Sequence, residues 1–559
     1  EPQVAAQLAQ IRAQESRIQP EEIRLLDPCM GSGHILVYAF DVLMEIYRTQ
    51  GYTDRDAVSA IIENNLYGLD IDDRAAQLAY FALMMKACEH DRRFLRRGVQ
   101  PHVCAVAEWN GNPNDSPAWS DGQRRAARML RETFKDAKEY GSILSIPKPL
   151  ADALDELGEN PFGGETALGV DAENLQRLAA QAKIMARKYD VVVTNPPYMG
   201  SSGMGARLAE FVKKQYPDSK SDLFAVFMER GREYAKANGY LAMITQHAWM
   251  FLSSFEKLRA KLMEIDTVNM AHLGARAFEE IGGEVVQTTA FVMQNRHVHG
   301  FKGMYARLIE PTTQDGKEEM FLDGQNRFSA RQDNFEKIPG APVAYWLSQN
   351  AILSFANKRI NQYGAVQEGI KTGDNERFLR FWYEIDFTKS NIPYKDSHEK
   401  KWIKTAKAGE HRRWYGSYYI VTNFDNDGQE LLSTGHGSVT GKQNFYKQAI
   451  TWNRIGISIL SFRMLPCGFI TNMGGLCLYP EKTDDFNYLL GFMNTKVAQM
   501  QLDVINPTIS YPPGTIGMMS CKETEKEKVG NIVDECITIA KDNWNTMELN
   551  WDFKKHPLI

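Results

Sequence analysis

The chain has 559 residues and a mass of 63.5 kDa, which exceeds the usual size of one hydrophobic core and predicts two or three domains. Its 43% hydrophobic and 24% charged residues exclude a mainly disordered protein, and its net charge of −5 excludes a basic surface throughout. Seven cysteines without a CxxC pair exclude a disulfide framework, predict no metal site and favour a reducing, cytoplasmic setting. The chain contains no apolar run of the roughly 18 to 20 residues that a membrane helix needs, so no membrane partner is expected.

Short apolar runs alternate with longer amphipathic stretches from Ile23 to Glu310. Strands that alternate with helices are typical of a mostly parallel α/β sheet covered on both faces. The segment from about 113 to 188 is too long for a simple connection and is predicted to form inserted helices. These features predict a first domain over residues 1–330.

The composition changes after Pro311, where Gly, Asn, Tyr and Trp become frequent and charges interleave with aromatic residues. We expect a second, β-rich α+β domain over residues 335–520. A helical segment over residues 521–559 follows and is expected to continue in a longer protein.

Charge is unevenly distributed along the chain. Residues 351–470 contain 17 Lys and Arg against 11 Asp and Glu, a net charge of +6, so the remainder carries −11. Such a division favours a catalytic body joined to a module that faces a polyanion, with chance fluctuation as the alternative.

A glycine-containing turn, DPCMGSGH from Asp27 to His34, follows the first predicted strand and precedes a helix. Glycines let the backbone of such a turn approach a ligand closely. The third glycine of the dinucleotide-binding pattern is replaced by Leu36, so a plain strand–helix connector is the alternative.

The second predicted strand ends at Asp70, in the run LYGLDID. An acidic residue at this position can accept both hydroxyl groups of a ribose. The alternative is a helix N-cap, a role that Asp72 or Asp73 also suits.

The run DVVVTNPPY, from Asp190 to Tyr198, predicts a buried strand that delivers an amide, two prolines and an aromatic ring to its carboxyl end. The prolines remove two N–H donors, which leaves carbonyl groups to accept hydrogen bonds from an amine. Tyr198 could stack on the ring that bears the amine. A rigid turn without a ligand is the alternative.

In this order the three segments resemble motifs I, II and IV of the S-adenosylmethionine-dependent adenine-N6 DNA methyltransferases. The resemblance covers about Ile23 to Ser520 and has the gamma order, with cofactor motifs first, then NPPY, then a recognition domain. The flanking runs DPCMGSGHILVYAFDVL, TGDNERFLRFWYE, HRRWYGS and INPTISY are similar to the methyltransferases of bacteriophage exclusion (BREX) defence systems. Related methylase–nuclease fusions share much of this pattern.

The resemblance implies a Rossmann-like domain with a mostly parallel seven-stranded sheet, followed by a DNA target recognition domain. It implies S-adenosylmethionine as cofactor, with these cofactor-binding residues: Asp27, Pro28, Gly31 and Gly33 at the methionine part, Asp70 at the ribose and Glu108 at the adenine.

For the target base, the resemblance implies that Asn195, Pro196, Pro197 and Tyr198 hold the adenine. It also implies that Phe278 packs against the flipped base, with a core position under the last strand pair as the alternative.

Two features of the chain depart from the family pattern. The amino-terminal cofactor motif is absent from the 26 residues before Asp27, and the chain lacks an initiator Met. The ending, WDFKKHPLI, is similar to mid-chain sequence of the BREX enzymes. We therefore expect a piece of a longer chain, whose cofactor binding is weak without the missing motif.

In the basic third, Arg377, Arg412 and Arg413 lie among aromatic residues and are predicted to contact DNA phosphates. The alternatives are that the aromatic residues form a core and that the arginines are solvated or paired with acids.

The sequence thus predicts a sequence-specific DNA methyltransferase that acts on N6 of a flipped-out adenine in phage defence, of the BREX or restriction–modification type. Its expected partners are double-stranded DNA and other subunits of such a system. The alternatives are a weakly active or inactive DNA-recognition subunit, the methylase part of a methylase–nuclease fusion, and an amino methyltransferase for protein or RNA.

Overall fold

The computed structural model describes residues 2–111, 115–163, 170–278, 286–393, 399–456, 459–506 and 508–555. The chain divides into two compact units, Glu1–Phe335 and Glu336–Ile559. Short parts of the predicted regions lie outside the described residues, namely 113–114 and 164–169 of the insertion, 279–285 of the first domain, 394–398, 457–458 and 507 of the second, and 556–559.

The first unit is built on one sheet with the order β3-β2-β1-β4-β5-β7-β6-β8-β9. Its strands are β1 Leu25–Asp27, β2 Leu66–Asp70, β3 His102–Ala105, β4 Tyr189–Thr194, β5 Ala235–Gln246, β6 Asp266–Ala275, β7 Gln287–Gln294, β8 Lys302–Arg307 and β9 Arg327–Arg331.

Most neighbouring strands in this sheet are parallel, which confirms the predicted α/β class. The exceptions are β7, antiparallel to β5 and β6, and β9, antiparallel to β8. The seven predicted strands correspond to β1–β7, and β8 and β9 extend the sheet to nine. Strands β8 (KGMYAR) and β9 (RFSAR) were not predicted, because their sequences contain no continuous apolar run.

The helices of the first unit are α1 Pro2–Glu15, α2 His34–Thr49, α3 Asp54–Ala60, α4 Asp73–His90, α5 Asp121–Thr133, α6 Ala137–Tyr140, α7 Lys148–Glu156, α8 Val170–Ala186, α9 Ala206–Gln215, α10 Leu223–Tyr234, α11 Glu256–Leu262 and α12 Gln314–Leu322. Helices α5–α8 form the long connection between β3 and β4. Helix α2 buries Phe40 and Tyr47 beside Leu83 of α4 in one apolar cluster. This packing fixes the two helices that follow β1 and β2.

The second unit contains three small sheets, with the orders β11-β18-β15-β16, β12-β14-β13-β17 and β10-β19. Its strands are β10 Lys358–Arg359, β11 Gly364–Gln367, β12 Leu379–Phe381, β13 Trp402–Ala406, β14 Ile420–Asn423, β15 Ala449–Asn453, β16 Arg463–Leu465, β17 Ile470–Thr471, β18 Gly475–Pro480 and β19 Ser520–Cys521. All pairs are antiparallel except β13 with β17.

The helices of this unit are α13 Gln349–Ser354, α14 Asn375–Phe378, α15 Asp425–Ser433, α16 Phe486–Met493, α17 Lys496–Ile505, α18 Pro513–Met518 and α19 Lys526–Asn545. Residues 521–559 were predicted to form a helical segment after the second domain. In the structure, α19 packs into the main core of this unit. Its Val533, Ile537 and Trp544 share a buried cluster with Trp452 and Leu489. In the part of the chain that the structure describes, no helix is long and apolar enough to cross a membrane.

Candidate cofactor and target-base site

Three predicted site residues meet at one edge of the first unit's sheet. Strand β1 lies between β2 and β4 and is parallel to both, so their carboxyl ends coincide. Asp27 and Asp70 end β1 and β2, and Asn195 directly follows β4. This edge is where α/β sheets bind ligands.

Both carboxylates hold the glycine turn after β1. Asp27 Oδ1 accepts a hydrogen bond from the Cys29 amide at 3.0 Å, and Asp70 Oδ2 accepts one from the Gly31 amide at 2.9 Å. Gly31 has φ +53°, and nothing lies within 4 Å of where its Cβ would be. The turn therefore presents open backbone beside Asp70, as close approach of a ligand requires.

Asp27 is fully buried at the end of β1. Burial raises the pKa of its carboxyl from 3.8 to about 7, because the charged form loses its hydration. The Thr194 side chain, at the end of β4, lies beside this carboxyl and lowers its pKa, but the effect of burial is larger.

The NPPY segment presents acceptors at the end of β4. Asn195 is exposed, and its side-chain amide makes no hydrogen bond within the described residues. Pro196 is buried and Pro197 is exposed, and neither can donate a backbone hydrogen bond. The hydrogen-bonding groups of this turn are therefore the Asn195 side-chain amide and backbone carbonyls, among them that of Pro196.

Tyr198 is half-buried and held at both ends of its side chain. Its ring lies edge-on to Phe224, with ring centroids 6.1 Å apart, and its hydroxyl donates to the Ile244 carbonyl at 3.4 Å. Burial raises the pKa of Tyr198 to about 12, so the phenol stays neutral.

Asp222 connects the NPPY segment to α10. Its Oδ1 accepts hydrogen bonds from the Met199 amide at 3.0 Å and from the Phe224 amide at 3.3 Å. The same carboxylate therefore caps α10 and fixes the chain immediately after Tyr198.

A cavity of about 330 Å³ joins the three motifs, a volume suited to a small ligand. It is lined by Pro28, Cys29, Asp70, Ile71, Glu139, Tyr140, Gly141, Ser142, Asn195, Pro197, Met199, Leu208, Leu223 and Phe227. The side chain of Ile71 is 57% exposed, so a large apolar surface faces solvent next to Asp70.

Four of the lining residues, Glu139–Ser142, come from the inserted helices and were not predicted as site residues. Ser142 Oγ donates to the Pro28 carbonyl at 2.6 Å, and the Tyr140 ring stacks on Phe211 at 4.2 Å. These residues lie far from the motifs along the chain, so no sequence pattern indicated the contact.

Seven predicted residues of the first unit lie outside this cavity lining. Asp27, Gly31, Gly33, Pro196 and Tyr198 belong to the motifs that border the cavity, and Glu108 and Phe278 lie elsewhere. The Glu108 carboxylate accepts hydrogen bonds from the Asn110 side chain at 2.9 Å and the Lys138 amide at 3.3 Å. Phe278 is half-buried, three residues after β6 and next to residues 279–285, which the structure does not describe.

A larger groove of about 660 Å³ lies on one face of β4–β8, between Ile35 and Phe321. Its floor is mainly Val, Ala, Ile and Met side chains. Since it contains few groups for specific chemistry, we assign the ligand site to the smaller cavity, which unites the motifs.

The three predicted DNA-contacting arginines of the second unit have different surroundings. Arg377 pairs with Glu430 at 2.7 Å. Arg412 is packed against α19, with its guanidinium 5.0 Å from the Trp544 ring centre and a hydrogen bond to Asn543 at 3.2 Å. Arg413 is exposed.

Comparison with known proteins supports the same family as the motifs. The Eco57I restriction-modification methylase family matches residues 64–273, and the DNA-methyltransferase domain of MmeI matches residues 3–103. Among solved structures, the Type IIL restriction-modification enzyme MmeI in complex with DNA has a TM-score of 0.51 at 11% identity, covering 96% of this chain and 68% of that chain. This similarity shows the fold.

Two curated relatives match nearly the whole chain. Adenine-specific methyltransferase PglX of Lacticaseibacillus casei (strain Zhang) is 38% identical over 98% of this chain, and adenine-specific methyltransferase BrxX of Escherichia coli O9:H4 (strain HS) is 37% identical over 100% of it. The chain spans about half the length of these relatives, 48% of each. Over that half, the chain belongs to the family of adenine-specific methyltransferases that includes PglX and BrxX.

Proposed function

We propose that this chain forms the catalytic and DNA-recognition parts of a site-specific adenine-N6 DNA methyltransferase of bacterial phage defence. The observation that carries the proposal is the cavity that unites Asp70, Asn195, and Pro28 and Cys29 of the turn after β1. The motif order and the similarity to PglX and BrxX support adenine in DNA as the target. Seven free cysteines support a cytoplasmic location.

The lining residues and the volume of the cavity support S-adenosylmethionine as its ligand. Asp70 keeps lone pairs beyond those used by the backbone amides, and these can accept ribose hydroxyls. Ile71 on one side and Leu223 and Phe227 of α10 provide apolar surface for an adenine ring. When bound, this cofactor supplies a methyl group activated by a sulfonium.

Glu139 is the carboxylate of this cavity besides Asp70, so we infer that it takes the adenine-facing role expected of Glu108. Glu108 instead holds the start of α6 through the Lys138 amide. The methionine part would lie along Pro28, Gly31 and Gly33, in a turn that Asp27 holds through the Cys29 amide.

The NPPY segment would orient the target amine. The Asn195 side-chain oxygen and the Pro196 carbonyl each accept one N–H of the amine, which directs its lone pair towards the methyl group. Tyr198 is held by Phe224 and the Ile244 carbonyl, so its ring is positioned to stack on a base without a large entropy cost. A base can reach these groups only after it leaves the helical stack.

The Asn195→Ala variant tests this assignment in the full-length protein. We expect transfer of labelled methyl groups to DNA to fall by about 10²- to 10³-fold, because one oriented acceptor is lost. Cofactor affinity, measured by calorimetry, is expected to change less than tenfold.

Asn160→Ala is the matched control, since Asn160 is exposed in the insertion and does not line the cavity. It should keep wild-type transfer. Undiminished transfer by Asn195→Ala would contradict the assignment, and transfer to a protein or RNA acceptor in preference to DNA would contradict the proposed substrate.

A further inference from the structure

Two histidines and an aspartate gather at the sheet edge opposite the cofactor cavity. His297 and His299 lie between β7 and β8, and Asp333 lies two residues after β9. One nitrogen of each imidazole and a carboxylate oxygen all lie within 4.8 Å of one another.

Asp333 lies between the two imidazoles. Its Oδ1 is 4.0 Å from His297 Nε2, and its Oδ2 is 3.4 Å from His299 Nδ1. The side chain of His299 is 91% exposed, whereas those of His297 and Asp333 are 38% and 31% exposed. One ring, His299, is therefore free to adjust around an ion, while the other two groups lie closer to the protein body.

A buried carboxylate, that of Asp266, lies next to the His297 ring. Asp266, at the start of β6, is only 2% exposed, and its Oδ1 lies 3.4 Å from His297 Nδ1. Its two oxygens also accept hydrogen bonds from the Val298 amide, at 3.2 and 3.1 Å. Arg296 Nε is 3.6 Å from the same carboxylate and balances part of its charge.

The position of Asp266 beside His297 is the arrangement that often supports a metal-binding imidazole. Imidazoles that bind metals commonly donate their second N–H to a carboxylate, which fixes the tautomer and raises the basicity of the ligating nitrogen. In His297 the Nδ1 atom faces Asp266. The Nε2 atom therefore faces Asp333 and the space between the two histidines and this carboxylate.

We propose that His297, His299 and Asp333 form a binding site for a divalent transition-metal ion such as Zn²⁺, with Asp266 as a positioning residue. Two imidazoles and one carboxylate form a donor set that zinc accepts, with bonds of about 2.0–2.2 Å and a fourth position left to water. Rotation of the exposed His299 ring and a small contraction of the other two groups bring the ligands into range. The bound ion would link the β7–β8 connection to the segment after β9.

The test is zinc binding by the full-length protein after removal of metals with a chelator. Zinc alone is titrated calorimetrically into wild-type protein and into His299→Ala, whose side chain contributes no core contact because it is 91% exposed. We expect wild-type protein to bind one zinc ion more than this variant, and added zinc to raise the wild-type melting temperature more. His436→Ala, which removes an exposed histidine of the second unit, should retain the wild-type stoichiometry.

Asp266→Asn tests the positioning role separately. It should keep the stoichiometry but weaken zinc binding by about 10- to 100-fold, the usual effect of losing such a carboxylate. Equal zinc stoichiometry in wild-type protein and His299→Ala would overturn the proposal and leave the three residues as histidine–carboxylate pairs. The readout is metal binding, so it is independent of methyl transfer.

Discussion

At the scale of residues, Asp27 and Asp70 owe their positions to the apolar strands that they end. The short runs LLD and LYGLD determine where β1 and β2 stop, and parallel pairing then brings Asp27 and Asp70 together. Glu139 reaches the same cavity from helix α6 of the insertion. It lies more than 50 residues along the chain from both LYGLDID and NPPY, so no local sequence pattern predicts this contact.

Burial of Asp27 predicts a specific pH dependence of stability. Its pKa is about 7 in the folded chain against 3.8 in the reference state, so the folded state binds the extra proton between these values. The contribution to stability is therefore complete below about pH 4 and is lost as the pH rises through 7. We expect the free energy of unfolding of the wild type, relative to Asp27→Asn, to fall by roughly 2 to 3 kcal/mol from pH 5 to pH 8.

Urea unfolding of both proteins at several pH values measures this difference. The comparison cancels the other titrating groups, because they are common to both chains. A difference in unfolding free energy that stays constant across this range would show that Asp27 does not titrate with a raised pKa.

We expect alanine substitutions at the two glycines after β1 to lower the free energy of unfolding by different amounts. A Cβ at Gly33, where φ is +86°, would lie 2.9 Å from the Ala79 Cβ of α4, whereas one at Gly31, where φ is +53°, meets nothing within 4 Å. Gly31→Ala should cost only the backbone term of about 1–2 kcal/mol. Gly33→Ala should cost about 1–3 kcal/mol more, because α2 and α4 must also separate.

Chemical denaturation of the two variants measures these costs as free energies of unfolding. Equal costs at the two positions would mean that the α2–α4 contact does not restrict residue 33.

At the scale of elements, the helical insertion was predictable because its length excludes a simple loop, but β8 and β9 were not. Helix α19 was predicted as a helix, yet its place in the second unit's core depends on tertiary contacts of Trp544, including the packing of Arg412. A regional charge count does not distinguish Arg412 from Arg413. In the structure, Arg412 packs against Trp544, whereas Arg413 is exposed.

We therefore expect substitution of the two neighbouring arginines to have opposite effects on DNA binding and on stability. If Arg413 contacts a phosphate, Arg413→Ala should reduce the slope of log affinity for DNA against log salt by about 0.9 and leave stability unchanged. Arg412→Ala should leave the slope unchanged and reduce the free energy of unfolding by about 1–2 kcal/mol, because contacts with Trp544 and Asn543 are lost.

Salt-dependent DNA binding and urea unfolding of both variants check this pair, each serving as the control for the other. A reduced salt slope for Arg412→Ala with unchanged stability would reverse the two roles.

For the whole molecule, the proposed division of labour rests on charge. The first unit carries a net charge of −7 and the second unit +2, and residues 351–470 within the second unit carry +6. We infer that the second unit supplies most of the attraction to DNA and the first unit supplies the chemistry. The order of the motifs indicated this division, but a charge count does not distinguish basic side chains that pack within the protein from those that face solvent.

Methylation mapping of host DNA tests the central claim most directly. Genomic adenine methylation is compared among cells that carry the full-length gene, cells that lack it, and cells with the Asn195→Ala variant at equal protein level. We predict N6-methyladenine at one recognition sequence in the first cells and its absence from that sequence in the other two. The same methylation with Asn195→Ala, or no difference between cells with and without the gene, would contradict the assignment of this chain as an adenine-N6 DNA methyltransferase.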